Sequence, residues 1–124
     1  MNDPKTGKII SAAFTVYKKL GFGFLEKIYE NALVIELRKM GMHVEQQMPL
    51  SVFYDEHEIG HYSADLFVES NIIVELKSVT TLVPEHEVQL VHYLTATGID
   101  LGLLLNFGKK GVEIKRKFRI YRGK

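Results

Sequence analysis

Two charged residues, Glu75 and Lys77, stand inside the apolar run Ile72 to Val79, and this run constrains the fold more than any other stretch of the chain. Apolar residues in such density, bounded by turn residues, read as a strand in the middle of a sheet, covered on both faces. An isolated charge in that setting costs several kcal/mol, so each must be paired, bound to a metal or used in chemistry. Period two along a strand puts Glu75 and Lys77 on one face.

The rest of the chain supplies a frame for that strand. Asp3-Pro4 is a helix start, with Asp3 as cap and Pro4 in the first turn. Ile9, Ile10, Ala13, Phe14, Val16, Tyr17 and Leu20 follow helical spacing as far as Gly21-Phe22-Gly23. A second helix is predicted from about Leu25 to Met40, stopped by Gly41. From Met42 the period becomes two. Val44 to Gln47 and Leu50 to Tyr54 read as a strand interrupted at Pro49, and Ile59 to Val68 as a second strand in which Tyr62, Ala64, Leu66 and Val68 share a face. After the strand Ile72 to Val79, Pro84 opens a helix that runs to about Thr97. Leu101 to Phe107 is a buried strand, and Val112 to Ile120 a final basic one. The order is two helices, three strands, one helix, two strands. This is an α/β arrangement with a mixed sheet: antiparallel hairpins first, then one helical crossover.

Hairpin register decides what faces Glu75. With Glu69, Ser70 and Asn71 as the turn, Val68 pairs with Ile72, and Asp65 falls opposite Glu75 on the same face. Opposed carboxylates repel, and a divalent cation between them reverses the sign. Carboxylates, the Leu76 carbonyl and water form an all-oxygen set that suits Mg²⁺ or Mn²⁺. Lys77 would lie beside the ion, placed to orient a water or to offset charge on a phosphate. A salt bridge from Lys77 to Asp65 or Glu75 accounts for the same residues without chemistry. Gln89 and Tyr93, four apart on the crossover helix, share a face, with His86 on the same stripe. They point either to that site or to solvent. His86 and His92 read as surface or capping residues. Glu26 opens the second helix, where the helix dipole favours a carboxylate in any case, or it joins the metal shell directly or through water.

Composition narrows the setting. A chain of 124 residues reads as one domain, residues 1–124, long enough to bury a core. No cysteine is present, which excludes disulfides, zinc–thiolate sites and thiol catalysis and fits a reducing compartment. No run is long enough to span a bilayer, and a cytoplasmic protein is expected. Net charge is +1, yet Lys109, Lys110, Lys115, Arg116, Lys117, Arg119, Arg122 and Lys124 crowd the C-terminal end against Glu113. Of these, Lys115, Arg116, Lys117 and Arg119 are candidate phosphate-backbone contacts; a solvated edge strand explains them equally.

Taken together, these residues resemble the GxxExxY protein family, a small-domain group of the PD-(D/E)XK nuclease superfamily. The name motif stands as Gly23-Phe24-Leu25-Glu26-Lys27-Ile28-Tyr29, followed by Ala64-Asp65-Leu66, Val74-Glu75-Leu76-Lys77, Gln89 with Tyr93-Leu94, and Gly102-Leu103-Leu104 with Asn106-Phe107-Gly108. The resemblance runs from about Ile10 to Arg119. It departs from the superfamily pattern at Ala64, where the name motif has proline. It implies a restriction-endonuclease-like αβββαβ core with a mixed central sheet flanked by helices. It also implies metal binding at Asp65 and Glu75, catalysis by Lys77, and an accessory acid at Glu26. Gln89 and Tyr93 look like the Q-x-x-x-Y extension of recombination-type exonucleases. The expected activity is a divalent-metal-dependent nuclease acting on DNA before RNA. With no clamping subdomain visible, grip on the substrate falls to a homodimer or a protein partner. A non-catalytic nucleic-acid or protein binding module, or a subunit active only with a partner, is the alternative.

Overall fold

A computed structural model describes residues 3–121. Helix α1 (Pro4–Leu20) starts where the Asp3 carboxylate accepts the Lys5 amide at 2.8 Å, and ends at Gly21 with φ 74°. Helix α2 covers Glu26–Lys39. Strands β1 (Val44–Tyr54) and β2 (His57–Val68) form a hairpin through Asp55 and Glu56, both at positive φ, as a two-residue turn that matches strand twist requires. Strand β3 (Ile72–Lys77) precedes helix α3 (Pro84–Thr97), and β4 (Leu101–Gly108) and β5 (Gly111–Phe118) close the chain.

The five strands form one sheet in chain order, β1-β2-β3-β4-β5. Only β3 and β4 are parallel, because α3 carries the chain back between them. This is the expected mixed α/β sheet flanked by helices. Helices α1 and α2 cover one face, where Ile9, Tyr29, Leu33, Leu66, Val74, Leu76 and Phe107 make the larger core. Helix α3 covers the other, with Tyr62, Ala64, Phe67, Ile73, Leu90, Leu94 and Leu104. Ile73 and Leu104 under α3, and Val74 and Leu105 under α1 and α2, show both faces of β3 and β4 covered, the condition their apolar runs require. No helix among the described residues is long and apolar enough to cross a membrane.

Three local expectations change. Pro49 does not interrupt β1; it sits opposite Ser63 in a continuous strand, tolerated because β1 is an edge strand whose outer side needs no amide donor. Strand β3 stops at Lys77 instead of Val79. The Ser78 hydroxyl turns to the Phe24 carbonyl at 2.7 Å, and the Asn106 amide takes both the N–H and the C=O of Val79 at 2.9 Å each. Tyr62 and Ala64 do not share a face with Leu66 and Val68. The first two pack under α3, the last two under α1 and α2. The switch falls at Asp65 and Gln47, which faces it at φ 50°, where regular pairing skips one position between Gln46–Leu66 and Met48–Ala64.

Candidate metal centre

The β2–β3 ladder holds Val68–Ile72, Phe67–Ile73 and Leu66–Val74, and stops there. Continued by one residue, that register would bring Asp65 opposite Glu75, in line with the three-residue turn at Glu69, Ser70 and Asn71. At that point side chains replace the backbone bonds. The Leu76 amide donates to Asp65 Oδ2 at 2.9 Å, and the Asp65 amide donates to Glu75 Oε2 at 3.2 Å. Each carboxylate is thus fixed by the strand opposite. The face switch at Asp65 and the early end of β3 open the sheet here.

Around this pair lies a polar shell. The Tyr62 hydroxyl donates to Glu75 Oε2, and the Tyr62 ring stacks on Tyr93 with centroids 3.7 Å apart. Gln47 Nε2 donates to Asp65 Oδ1 at 3.3 Å and to Glu30 Oε1 at 3.0 Å. Glu30, buried one turn after Glu26, also receives Lys27 at 2.9 Å and Gln46 at 2.7 Å. Burial and then the Asp65 charge push the Glu75 carboxyl up to about 7, against the opposing pull of the Tyr62 hydroxyl, the Asp65 amide and the Lys77 ammonium. Burial raises the Tyr62 hydroxyl too, reinforced by the charges of Glu75 and Asp65. Glu26 is raised by partial withdrawal from water, while Lys77 and His86 lower it and Asp65 and Glu30 raise it. Seven groups from α2, β2, β3 and α3 (Glu26, Glu30, Tyr62, Asp65, Glu75, Lys77 and His86) therefore share one electrostatic neighbourhood.

A family model for the PD-(D/E)XK nuclease superfamily matches residues 3–117. The chain belongs to that superfamily. Its fold is also similar to a solved structure titled "Crystal structure of SSO0001", at TM-score 0.58 and 15% identity, covering 78% of this chain and 52% of that one. The chain thus spans about half the length of that structure, and the likeness is one of fold. No curated protein sequence matches.

PD-(D/E)XK nucleases generally use divalent metal ions, and the residues here suit a hard cation in part. Asp65 and Glu75 offer only oxygen, and their mutual repulsion is what a cation would relieve. Among the described residues, however, no three His, Cys, Asp or Glu side chains converge on one point. Asp65 and Glu75 are linked by hydrogen bonds, and no third acid forms a cluster with them among the described residues. Magnesium keeps several waters and takes one or two carboxylates, so this donor set fits it.

Of the other sequence candidates, Tyr93 reaches the centre through its stack on Tyr62. Gln89 is exposed on α3 one turn before Tyr93 and makes no hydrogen bond among the described residues. His86 Nδ1 accepts the Val83 amide at 3.4 Å at the start of α3, and His92 is exposed. The basic strand is largely occupied. Lys117 pairs with Glu87 at 2.6 Å, Arg119 with Asp100 at 2.5 Å, and Arg116 donates to Thr6 at 3.4 Å, leaving Lys115 exposed. Arg122 and Lys124 lie outside the described residues. A cavity of about 600 Å³ lies at the far end of the sheet beside Asp3, Ile72 and Phe118.

Tyr62, Glu30, Gln47 and Asn106 escaped the sequence reading. Glu30 had a signal: it is four residues from Glu26 and three from Leu33, on the buried side of α2. The other three make their key bonds to residues 13 or more positions away, as in Tyr62 to Glu75 and Asn106 to Val79.

Proposed function

We propose that this protein is a divalent-metal-dependent nuclease of the GxxExxY group that hydrolyses phosphodiester bonds, in DNA before RNA. The observation that carries the reading is the pairing of Asp65 and Glu75 at the end of the β2–β3 ladder, with Lys77 two residues on. Asp65, Glu75 and the Leu76 carbonyl would hold the ion, with Glu26 contributing through water. Mg²⁺ or Mn²⁺ bound there would supply water activation and phosphate polarisation. Lys77 places an ammonium where the phosphoryl oxygens gain charge. Tyr62 holds the Glu75 carboxylate in place, and Tyr93 backs the Tyr62 ring; both are positioning residues. Gln89, one turn before Tyr93 on α3, donates to a substrate phosphate oxygen.

Metal binding tests this part directly. Titration with Mn²⁺ should broaden the amide resonances of Asp65, Glu75 and Leu76 first, and an Asp65→Asn/Glu75→Gln variant should lose the effect while staying folded. Broadening centred elsewhere, or unchanged in the variant, would remove the centre assigned here.

A further inference from the structure

We infer that the loop 21–25 and the β4–β5 turn form a path for a single strand of nucleic acid, with bases on Phe22 and Phe24 and phosphates at Lys109 and Lys110. The inference rests on the nuclease reading and specifies its substrate. The loop carries large apolar side chains outward: Phe22 and Phe24 are each 41% exposed, and Leu25 76%. They are held there. The Tyr29 hydroxyl donates to the Gly21 carbonyl and accepts the Phe24 amide at 3.3 Å, and Ser78 holds the Phe24 carbonyl. Tyr29 is itself buried and stacked on Phe107 at 4.4 Å. Gly23 at φ 115° sets the bend between the two rings, a conformation other residues resist. Glu26 follows the loop directly, and Ser78, which bonds the Phe24 carbonyl, follows Lys77, so the loop backbone lies beside the end of β3.

A second feature lies at the same end of the sheet. A cavity of about 430 Å³ is lined by Thr80, Thr81, Lys109, Lys110 and Glu113 among others, and the Glu113 carboxylate is engaged by the Asn106 amide at 2.8 Å. Lys109 and Lys110 form no ion pair among the described residues, unlike Lys117 and Arg119. Tyr17 ties the two features together. Its hydroxyl donates to the Gly108 carbonyl at 2.7 Å and the Lys109 carbonyl at 3.2 Å, while its own carbonyl accepts the Gly21 amide at 2.8 Å. Exposed aromatic rings beside an unpaired basic groove are what a single strand needs, because only unpaired bases offer a face for stacking. The apolar loop alone would suit a second copy of the chain; the adjoining free lysines favour a polyanion.

Binding of a labelled oligothymidine strand, and of a duplex of equal length, tests this in chelator, where no hydrolysis intervenes. Phe22→Ala/Phe24→Ala should weaken strand binding about tenfold or more and leave duplex binding nearly unchanged. Phe22→Tyr/Phe24→Tyr, which keeps both rings, should retain strand binding. Lys109→Ala/Lys110→Ala should flatten the slope of log affinity against log salt by about 1.4, or about 0.7 per phosphate. Equal losses on strand and duplex, no loss on either, or a Tyr pair no better than the Ala pair would overturn the inference. So would unchanged strand binding with dissociation of a dimer in sedimentation equilibrium. Because turnover is not read, the two proposals fail separately. Strand binding without cleavage under any metal would sink the nuclease reading alone, and cleavage without strand preference would sink this one.

Discussion

The Leu76 amide donates to the Asp65 carboxylate at 2.9 Å, at the point where the β2–β3 ladder has ended. One acid thereby serves two purposes: it satisfies a strand amide, and it faces Glu75. Removing it is not simply a relief of repulsion. Asp65→Ala should lower the metal-free melting temperature, because an unsatisfied amide costs about 1–3 kcal/mol. Asp65→Asn keeps an oxygen acceptor and discards the charge, and should melt at or above the wild type. Equal melting of both variants would show that the Leu76 bond contributes nothing.

Glu75 makes stability depend on pH in an unusual direction for a carboxylate. Its folded-state pKa is raised to about 7, above the unfolded value, so the folded protein binds the extra proton between the two. The stability it contributes is full below the unfolded pKa and is lost as pH rises through about 7. Metal-free protein should therefore lose up to about 3 kcal/mol between mildly acidic and mildly alkaline pH from this group. Glu75→Gln should flatten that dependence, and added Mg²⁺ should restore the alkaline side. Melting curves in chelator across this range decide it; an unaltered slope in the variant would contradict the assignment.

Tyr62→Phe isolates one hydrogen bond. The phenol lowers the Glu75 pKa by stabilising the carboxylate, so its loss should raise that pKa further. Metal-dependent cleavage should then need a more alkaline solution, with the acid limb of the pH profile displaced upward and the high-pH rate largely retained. A uniform loss at every pH would instead mark a structural fault in the Tyr62–Tyr93 stack.

Lys77→Ala should reduce cleavage by about 100-fold or more, the usual effect of removing a donor to developing charge. Because Lys77 lowers the Glu26 pKa, the same substitution should raise it, visible by carboxyl NMR titration. Cleavage retained at wild-type rate would exclude a catalytic role for Lys77.

The central hairpin was legible because a three-residue turn and a two-residue period leave little freedom: Val68 lies opposite Ile72, and hydrogen bonds tie Asp65 to Glu75 and Leu76 beyond the ladder. Helix ends were legible at Asp3-Pro4 and Gly21, where capping and positive φ are local. The face switch at Asp65 was not, since it depends on Gln47 taking φ 50° in the strand opposite. Nor was the end of β3, because Asn106, 27 residues on, occupies Val79. Gln46 and Gln47 read as ordinary polar strand positions. Only the packing of α2 beside β1 shows them holding Glu30.

The most direct measurement is cleavage of single- and double-stranded DNA and RNA by the protein with Mg²⁺, with Mn²⁺ and with chelator, run beside Glu75→Ala. Cleavage that requires the metal and disappears in the variant is the result this account predicts. No cleavage of any substrate by the folded wild type, or cleavage that survives Glu75→Ala, would contradict it.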